Sequence, residues 1–445
     1  MTEKFAYLET FGCQMNERDS EIMGHLLTKA HYFPTTQIDQ ADLVLVNTCS
    51  IRAKAEQKVY SLLGRLKRWK AKRPSRLIVV AGCVAQQEGA RIPVRMPHVD
   101  IVLGTQHIHQ LTELVTEAAD GSGPVIAVNL SPKFTIPPYI PPSPAREIKK
   151  FVTIMQGCNN FCTYCVVPYT RGREISRPPD DIVAEITALA ARGIKEVTLL
   201  GQNVNSYGKT GAQADAGFDF PALLRRVAAI QGIERIRFTT SHPKDLSREL
   251  MQTFQQIDKL CPHFHLPVQS GSNRILKRMN RKYTVESYKD LVNALRSFRP
   301  DIALTTDIIV GFPGETEEDF CATMSLLETV RFHSAFSFKY SDRPNAKSAS
   351  FTNKVSEAEK TDRLKRLQGR QDVITLERNR EFVGWKLKVM VEGQSKAADG
   401  QMSGRSATNH IVNFNGNGLL PGETVLVTIT EALLHSLRGE LTTPY

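Results

Sequence analysis

Cys158, Cys162 and Cys165 fall within the run Gly157-Cys158-Asn159-Asn160-Phe161-Cys162-Thr163-Tyr164-Cys165, directly after a strand-like stretch, and this CxxxCxxC spacing constrains the chain more than any other feature. Three thiolates ligate three irons of a cubane cluster and leave the fourth iron open to an outside ligand. A 4Fe-4S cluster that only carries electrons is normally closed by a fourth cysteine, and none lies close to Cys165. Zinc sites favour paired CxxC units or a nearby His pair, and neither surrounds this triplet. Buried structural thiols are the remaining alternative.

At 445 residues the chain exceeds what one core usually supports, so two or three domains are expected. The start Met1-Thr2-Glu3-Lys4-Phe5-Ala6 has no basic and apolar leader pattern, and no apolar run approaches membrane-spanning length. The expectation is a cytoplasmic protein with no membrane contact. In that reducing compartment the 8 cysteines point to metal or sulfur chemistry rather than disulfides. A formal net charge of +11 suits a polyanionic partner. Arg65, Lys67, Arg68, Lys70, Lys72 and Arg73, with Trp69 among them, read either as a phosphate-contacting helix end or as a solvated helix face.

The chain divides into three parts, an α/β organisation followed by a β tail. Over 1–130, strand-like runs (Phe5 to Thr10, Asp42 to Asn47, Leu77 to Ala81) alternate with helices, which predicts a parallel α/β domain. Residues 131–150 carry Pro132, Pro137, Pro138, Pro141, Pro142 and Pro144 and read as an extended linker. Over 151–381, six strand-like runs each lead into a helical or polar stretch, which fits an open (βα)6 barrel with chemistry at the C-terminal strand ends. A polar helix from about Ser356 to Glu381 closes this part. Over 382–445, short strands and frequent glycines predict a small β-barrel.

A second cysteine set lies in the first part. Cys13, Cys49 and Cys83 each follow a predicted strand, and in a parallel sheet those positions share one edge. They therefore converge, and three thiols there suit a second three-coordinate iron-sulfur cluster. Cys261 and Cys321 belong to neither set and read as buried structural thiols.

The CxxxCxxC loop, with Tyr164 before its last cysteine, resembles the radical S-adenosylmethionine superfamily. Nearly the whole chain is similar to the MiaB-type tRNA methylthiotransferases. The resemblance is carried by Asn47-Thr48-Cys49-Ser50-Ile51-Arg52-Ala53-Lys54-Ala55-Glu56-Gln57, by Gly157 through Pro178 including Val166-Val167-Pro168-Tyr169-Thr170-Arg171-Gly172-Arg173-Glu174, and by His265-Leu266-Pro267-Val268-Gln269-Ser270-Gly271-Ser272. These match the tRNA branch better than the branch that modifies an aspartate of a small-subunit ribosomal protein. Tyr340-Ser341-Asp342-Arg343-Pro344 departs from the family by lacking the usual Gly-Thr after it.

The resemblance implies two 4Fe-4S clusters, one on Cys158, Cys162 and Cys165 and one on Cys13, Cys49 and Cys83. It implies S-adenosyl-L-methionine as radical source and methyl donor, with Tyr164, Gln202, Asn203, Ser241, Gln269 and Asp307 around it. The last part becomes a TRAM β-barrel that binds tRNA, with Lys386, Lys388, Lys396, Arg405 and His410 as candidate RNA contacts, joined by Arg171 and Arg173 beside the cluster loop. The implied reaction places sulfur and methyl at C2 of N6-dimethylallyladenosine beside the anticodon. That C2–H bond is not acidic, so a cofactor must supply the reactivity. The first cluster would generate a 5'-deoxyadenosyl radical and the second would hold the sulfur, with the target base turned out of its stack. A reductant such as flavodoxin or ferredoxin is implied, and the sequence names no sulfur donor. A methylthiotransferase acting on threonylcarbamoyladenosine or a ribosomal protein, a radical enzyme with a purely electron-relaying second cluster, and a non-enzymatic iron-sulfur RNA-binding protein stay open as alternatives.

Overall fold

The computed structural model describes residues 3–50, 53–121, 123–131, 134, 136–139, 147–210, 217–395, 400–416 and 418–442. The first part is a six-stranded parallel sheet in the order Tyr32–Pro34, Lys4–Phe11, Leu43–Thr48, Leu77–Gly82, Ile101–Leu103, Val125–Ala127. Leu43–Thr48 and Leu77–Gly82 are buried throughout, as expected of central strands covered on both faces. Leu43, Leu45, Leu77 and Val79 pack against Met23 and Leu27 of the helix Gln14–Lys29. The alternate residues Val44, Val46, Ile78 and Val80 pack against Leu62, Leu63 and Leu66 of the helix Ala53–Ala71. The period-two alternation thus feeds two separate cores.

The basic helix divides by role. Trp69 is buried and donates its indole N–H to the Ile38 carbonyl at 2.8 Å. Lys70 pairs with Asp100, and Arg73 with Asp42 at 2.8 Å. Arg65, Lys67, Arg68 and Lys72 remain exposed. In the proline-rich stretch, Pro132, Pro141, Pro142 and Pro144 lie outside the described residues. Ile136 is buried, and the Tyr139 ring lies 4.5 Å from the Arg18 guanidinium and 5.6 Å from the His25 ring, so this stretch packs onto the first part.

The central part comprises two three-stranded parallel sheets, Lys149–Thr153, Glu196–Leu200, Arg235–Phe238 and His263–His265, Ala303–Val310, Ser334–Lys339, with one bridge between Ile236 and Leu260 where they meet. Val197, Leu199, Ile236, Phe238, Ile308 and Val310 pack outward against the helical layer, with Phe238 edge-on to Phe220 at 5.0 Å and to Phe264 at 5.3 Å. The other face of each strand points into the lumen. The polar helix Glu357–Arg380 begins with a capping box between Ser356 and Glu359 and buries Leu367 and Ile374 against this core.

The last part is a closed barrel of Lys386–Gln394, Gln401–Ser406, Ile411–Asn415, Leu437–Leu441 and Thr424–Ala432. It is seated by two arginines of one central strand. Arg235 donates to the carbonyls of Arg405 at 2.5 Å and Lys388 at 3.1 Å, and Arg237 to those of Ser406 at 2.8 Å and Ala407 at 2.9 Å. The first part is clamped by buried ions: Glu185 of the helix Pro179–Ala190 lies between Arg18 and Arg177, the latter at 2.5 Å.

Candidate active site

The cluster loop leaves Lys149–Thr153 and Met155–Gln156 through Gly157, whose φ is +82° and where a Cβ would sit 2.0 Å from the Arg173 carbonyl oxygen. Only glycine fits. The Gly157 N–H donates to Gln202 Oε1 at 2.6 Å and the Cys158 N–H to the Gly172 carbonyl at 3.2 Å. The Thr163 N–H reaches the Met279 carbonyl at 3.0 Å, and Asn280 Nδ2 the Phe161 carbonyl at 3.0 Å. Backbone bonds from three directions therefore fix where the thiols point.

Burial pushes the Cys158 thiol up to about 11 and the Cys165 thiol up to about 12. Arg281 donates to Cys162 Sγ at 3.4 Å. Burial therefore favours the neutral thiols, and three clustered thiols that give up their protons on meeting a cationic centre are the donor set of a metal-thiolate site. A 4Fe-4S cluster fits this donor set.

The second trio is aligned by sheet register. Phe11 pairs with Thr48 and Thr48 with Gly82, so Cys13, Cys49 and Cys83 each sit one or two residues past the same row of three neighbouring strands. Glycines let the loops close: a Cβ on Gly12 would lie 2.7 Å from Cys49 Cβ, and one on Gly82 2.2 Å from Asn47 Oδ1. Cys49 hydrogen-bonds to both Cys13 and Cys83, keeps its proton and is pushed far up. The bond from Cys49 lowers Cys13 to about 6 and Cys83 to about 7, and the Arg171 guanidinium acts in the same direction on both. Among the described residues no group of three or more His, Cys, Asp and Glu side chains is arranged around a single metal ion. The fit of each trio to an iron-sulfur group rests on donor type and on convergence of the loops: Cys49, Cys83 and Cys162 are buried, Cys158 and Cys165 partly buried, and Cys13 is exposed.

Arg171 is the largest departure from the sequence expectation. It is 3% exposed, too buried to meet an RNA phosphate, and pairs with Asp19 at 2.7 Å while facing Cys13 and Cys83. Because its neighbour Gly172 accepts the Cys158 N–H, Arg171 ties the two trios together. Arg173 stays exposed with its guanidinium 4.3 Å over the Phe161 ring.

Several polar atoms at the strand ends are buried without a protein partner: Asn203 Oδ1, Ser241 Oγ, His242 Nε2 and Gln156 Nε2. Unpartnered buried polar atoms are costly unless a ligand satisfies them, and this set suits a small polar cofactor such as S-adenosylmethionine. Asn203 Nδ2 is held by Asp245 at 2.8 Å. Burial pushes the His242 imidazole down to about 2, so it is neutral, and pushes the Glu174 carboxyl up to about 7 despite its bond from Ser206. Gln202 fastens the cluster loop through its side-chain oxygen. Tyr164 packs with Ile309 against the Phe312 and Tyr340 cluster. Gln269, at φ +73°, is buried and joined to Ala303–Val310 by backbone bonds to Asp307 and Ile309. Asp307 lies 3.5 Å from His265 Nε2.

In the last part, Lys386 and Lys388 are exposed and Lys396 lies outside the described residues. Arg405 is half-buried, engaged with Glu392 at 3.2 Å and the Asn409 carbonyl at 3.1 Å. His410, a candidate RNA contact, is instead packed 4.7 Å from the Phe382 ring, with burial pushing it down to about 4. Cys261 is buried, whereas Cys321, expected to be buried, is exposed. Sequence reasoning missed Asp19, Arg18, Glu185 and Arg281, whose partners are distant in the chain and follow no local spacing.

An open parallel barrel with a three-thiol loop after its first strand defines a radical S-adenosylmethionine enzyme. Residues 152–327 match the radical SAM superfamily, residues 5–104 the uncharacterized protein family UPF0004, and residues 380–442 the TRAM domain. The superfamily brings S-adenosylmethionine and a 4Fe-4S cluster to this site. The chain is 57% identical over 448 residues to the tRNA-2-methylthio-N(6)-dimethylallyladenosine synthase of Desulfotalea psychrophila, covering 99% of each. It is 52% identical over 440 residues to the protein of the same name in Geotalea uraniireducens, again covering 99% of each. The chain belongs to the family of tRNA-2-methylthio-N(6)-dimethylallyladenosine synthases. Among solved structures, the radical S-adenosylmethionine methyltransferase TsrM of Kitasatospora setae matches with a TM-score of 0.56 at 14% identity, over 89% of this chain and 79% of that one, a likeness of fold.

Proposed function

We propose that the chain inserts sulfur and a methyl group at C2 of N6-dimethylallyladenosine beside the anticodon of tRNA. The full-length likeness to synthases of that name carries this reading. When bound, the cluster and S-adenosylmethionine supply the radical chemistry that the adenine C2–H bond requires. Cys158, Cys162 and Cys165 would hold the first cluster, and Cys13, Cys49 and Cys83 a second one that carries the sulfur. Asn203, Ser241 and His242 would receive the polar groups of S-adenosylmethionine, the neutral His242 ring adding no positive charge beside the sulfonium. The buried Arg171 would balance thiolate charge at the second site. Lys386 and Lys388 would meet the RNA backbone, in a cytoplasmic protein reduced by a flavodoxin or ferredoxin.

Nucleoside mass spectrometry after anaerobic reaction with tRNA tests the substrate: methylthio product forms on the prenylated adenosine, and faster conversion of threonylcarbamoyladenosine would overturn the assignment. Iron counting tests the clusters. Two are expected in the reconstituted protein and one in Cys158→Ala; unchanged iron would remove Cys158 as a ligand.

A further inference from the structure

We infer that Phe336 and Phe338, on the lumen face of the last barrel strand, seat the N6-dimethylallyl group of the target adenosine and set the preference for prenylated tRNA. This rests on the substrate reading above and adds to it the residues that recognise the prenyl chain.

Both rings are exposed, Phe336 by 55% and Phe338 by 38%. Single exposed apolar side chains are ordinary, but two aromatic rings on one face of one strand form a patch that calls for a partner. The face is fixed by alternation and register. In Ala303–Val310, Leu304, Ile308 and Val310 pack toward the helices, which leaves Thr305, Asp307 and Ile309 toward the lumen. Asp307 pairs in register with Phe336, and Ile309 with Phe338. On the last strand Ala335 packs on the helix side, so both phenylalanines share the lumen face with Asp307 and Ile309.

The patch is continuous with the candidate active site. Ile309, beside Phe338, packs in the cluster that also takes Tyr164 of the CxxxCxxC loop. The His265 ring stands edge-on to Phe336 at 6.1 Å, and its Nε2 lies 3.5 Å from Asp307. An apolar step thus adjoins a polar His265–Asp307 edge, the same division that a prenylated adenine presents between its branched C5 chain and its heterocycle. The strand Ser334–Lys339 ends its sheet, so the exposed rings stand at the barrel's open edge.

The test uses full-length reconstituted enzyme, wild type and Phe336→Ala/Phe338→Ala, with anticodon stem-loops that carry or lack the dimethylallyl group. The wild type should bind the prenylated stem-loop about tenfold or more tightly than the bare one, as expected for an apolar group held in a pocket. The double variant should lose that preference while binding the bare stem-loop as before and cleaving S-adenosylmethionine at the wild-type rate, and Phe336→Leu/Phe338→Leu should restore most of it. A preserved preference in the alanine variant, or an equal loss with both stem-loops as for rings stacking on the base itself, overturns the inference. Wild-type failure to methylthiolate prenylated tRNA would instead overturn the function reading, an outcome separate from any variant.

Discussion

Gly157 shows how narrowly one residue can set the chemistry. Its left-handed φ and the 2.0 Å approach of the Arg173 carbonyl mean that a methyl group there must displace backbone. Gly157→Ala is expected to lose the iron of the first site while the first and last parts stay folded, checked by iron counting together with hydrogen exchange. Glu174 has a pH signature. Burial raises its carboxyl from 4.5 to about 7, so the folded chain binds more protons than the unfolded one between those values. Stability therefore falls as pH rises through this window, by at most about 1.4 kcal/mol per pH unit for one group. Glu174→Gln should flatten that slope in denaturant titrations from pH 4.5 to pH 7. Cys158, Cys162 and Cys165 were legible from their spacing, and Cys13, Cys49 and Cys83 from their places after strands that the sheet register aligns. Arg171 was not: a surface arginine and one buried against Asp19 look alike until the first part is docked.

Strands and helices were largely readable because alternation and caps are local. The long polar run from about Ser356 to Glu381 announces the helix Glu357–Arg380, and the runs of Val and Leu announce Leu43–Thr48 and Leu77–Gly82. What attaches the last barrel was not readable. Arg235 and Arg237 donate to backbone carbonyls, a partner that every residue type carries and no pattern marks. Arg237 also lies 3.1 Å from the buried Glu196. Arg237→Met would leave the Ser406 and Ala407 carbonyls without their donor and take the nearer cation from Glu196, with Arg235 4.0 Å away, and a loss of roughly 3–5 kcal/mol is expected. Faster amide exchange in Gln401–Ser406 than in Leu43–Thr48 would report it.

At the scale of the molecule, the first part is held to the barrel by ions removed from water. Glu185 is fully buried between Arg18 and Arg177. Glu185→Ala leaves the buried Arg177 without its carboxylate and Arg18 with Glu21 alone, and should destabilise the chain by roughly 3–5 kcal/mol. A melt that separates into two transitions, with the first part released from the barrel, is the expected calorimetric trace.

The two cysteine sets also differ in how they come into being. Cys158, Cys162 and Cys165 are neighbours along the chain and stay close to one another before any strand pairs. Cys13, Cys49 and Cys83 meet only after three strands have taken their register, so a group bound by all three would presuppose a folded sheet. Assembly of anything on the second set would thus come after folding, on a finished surface rather than on a nascent segment.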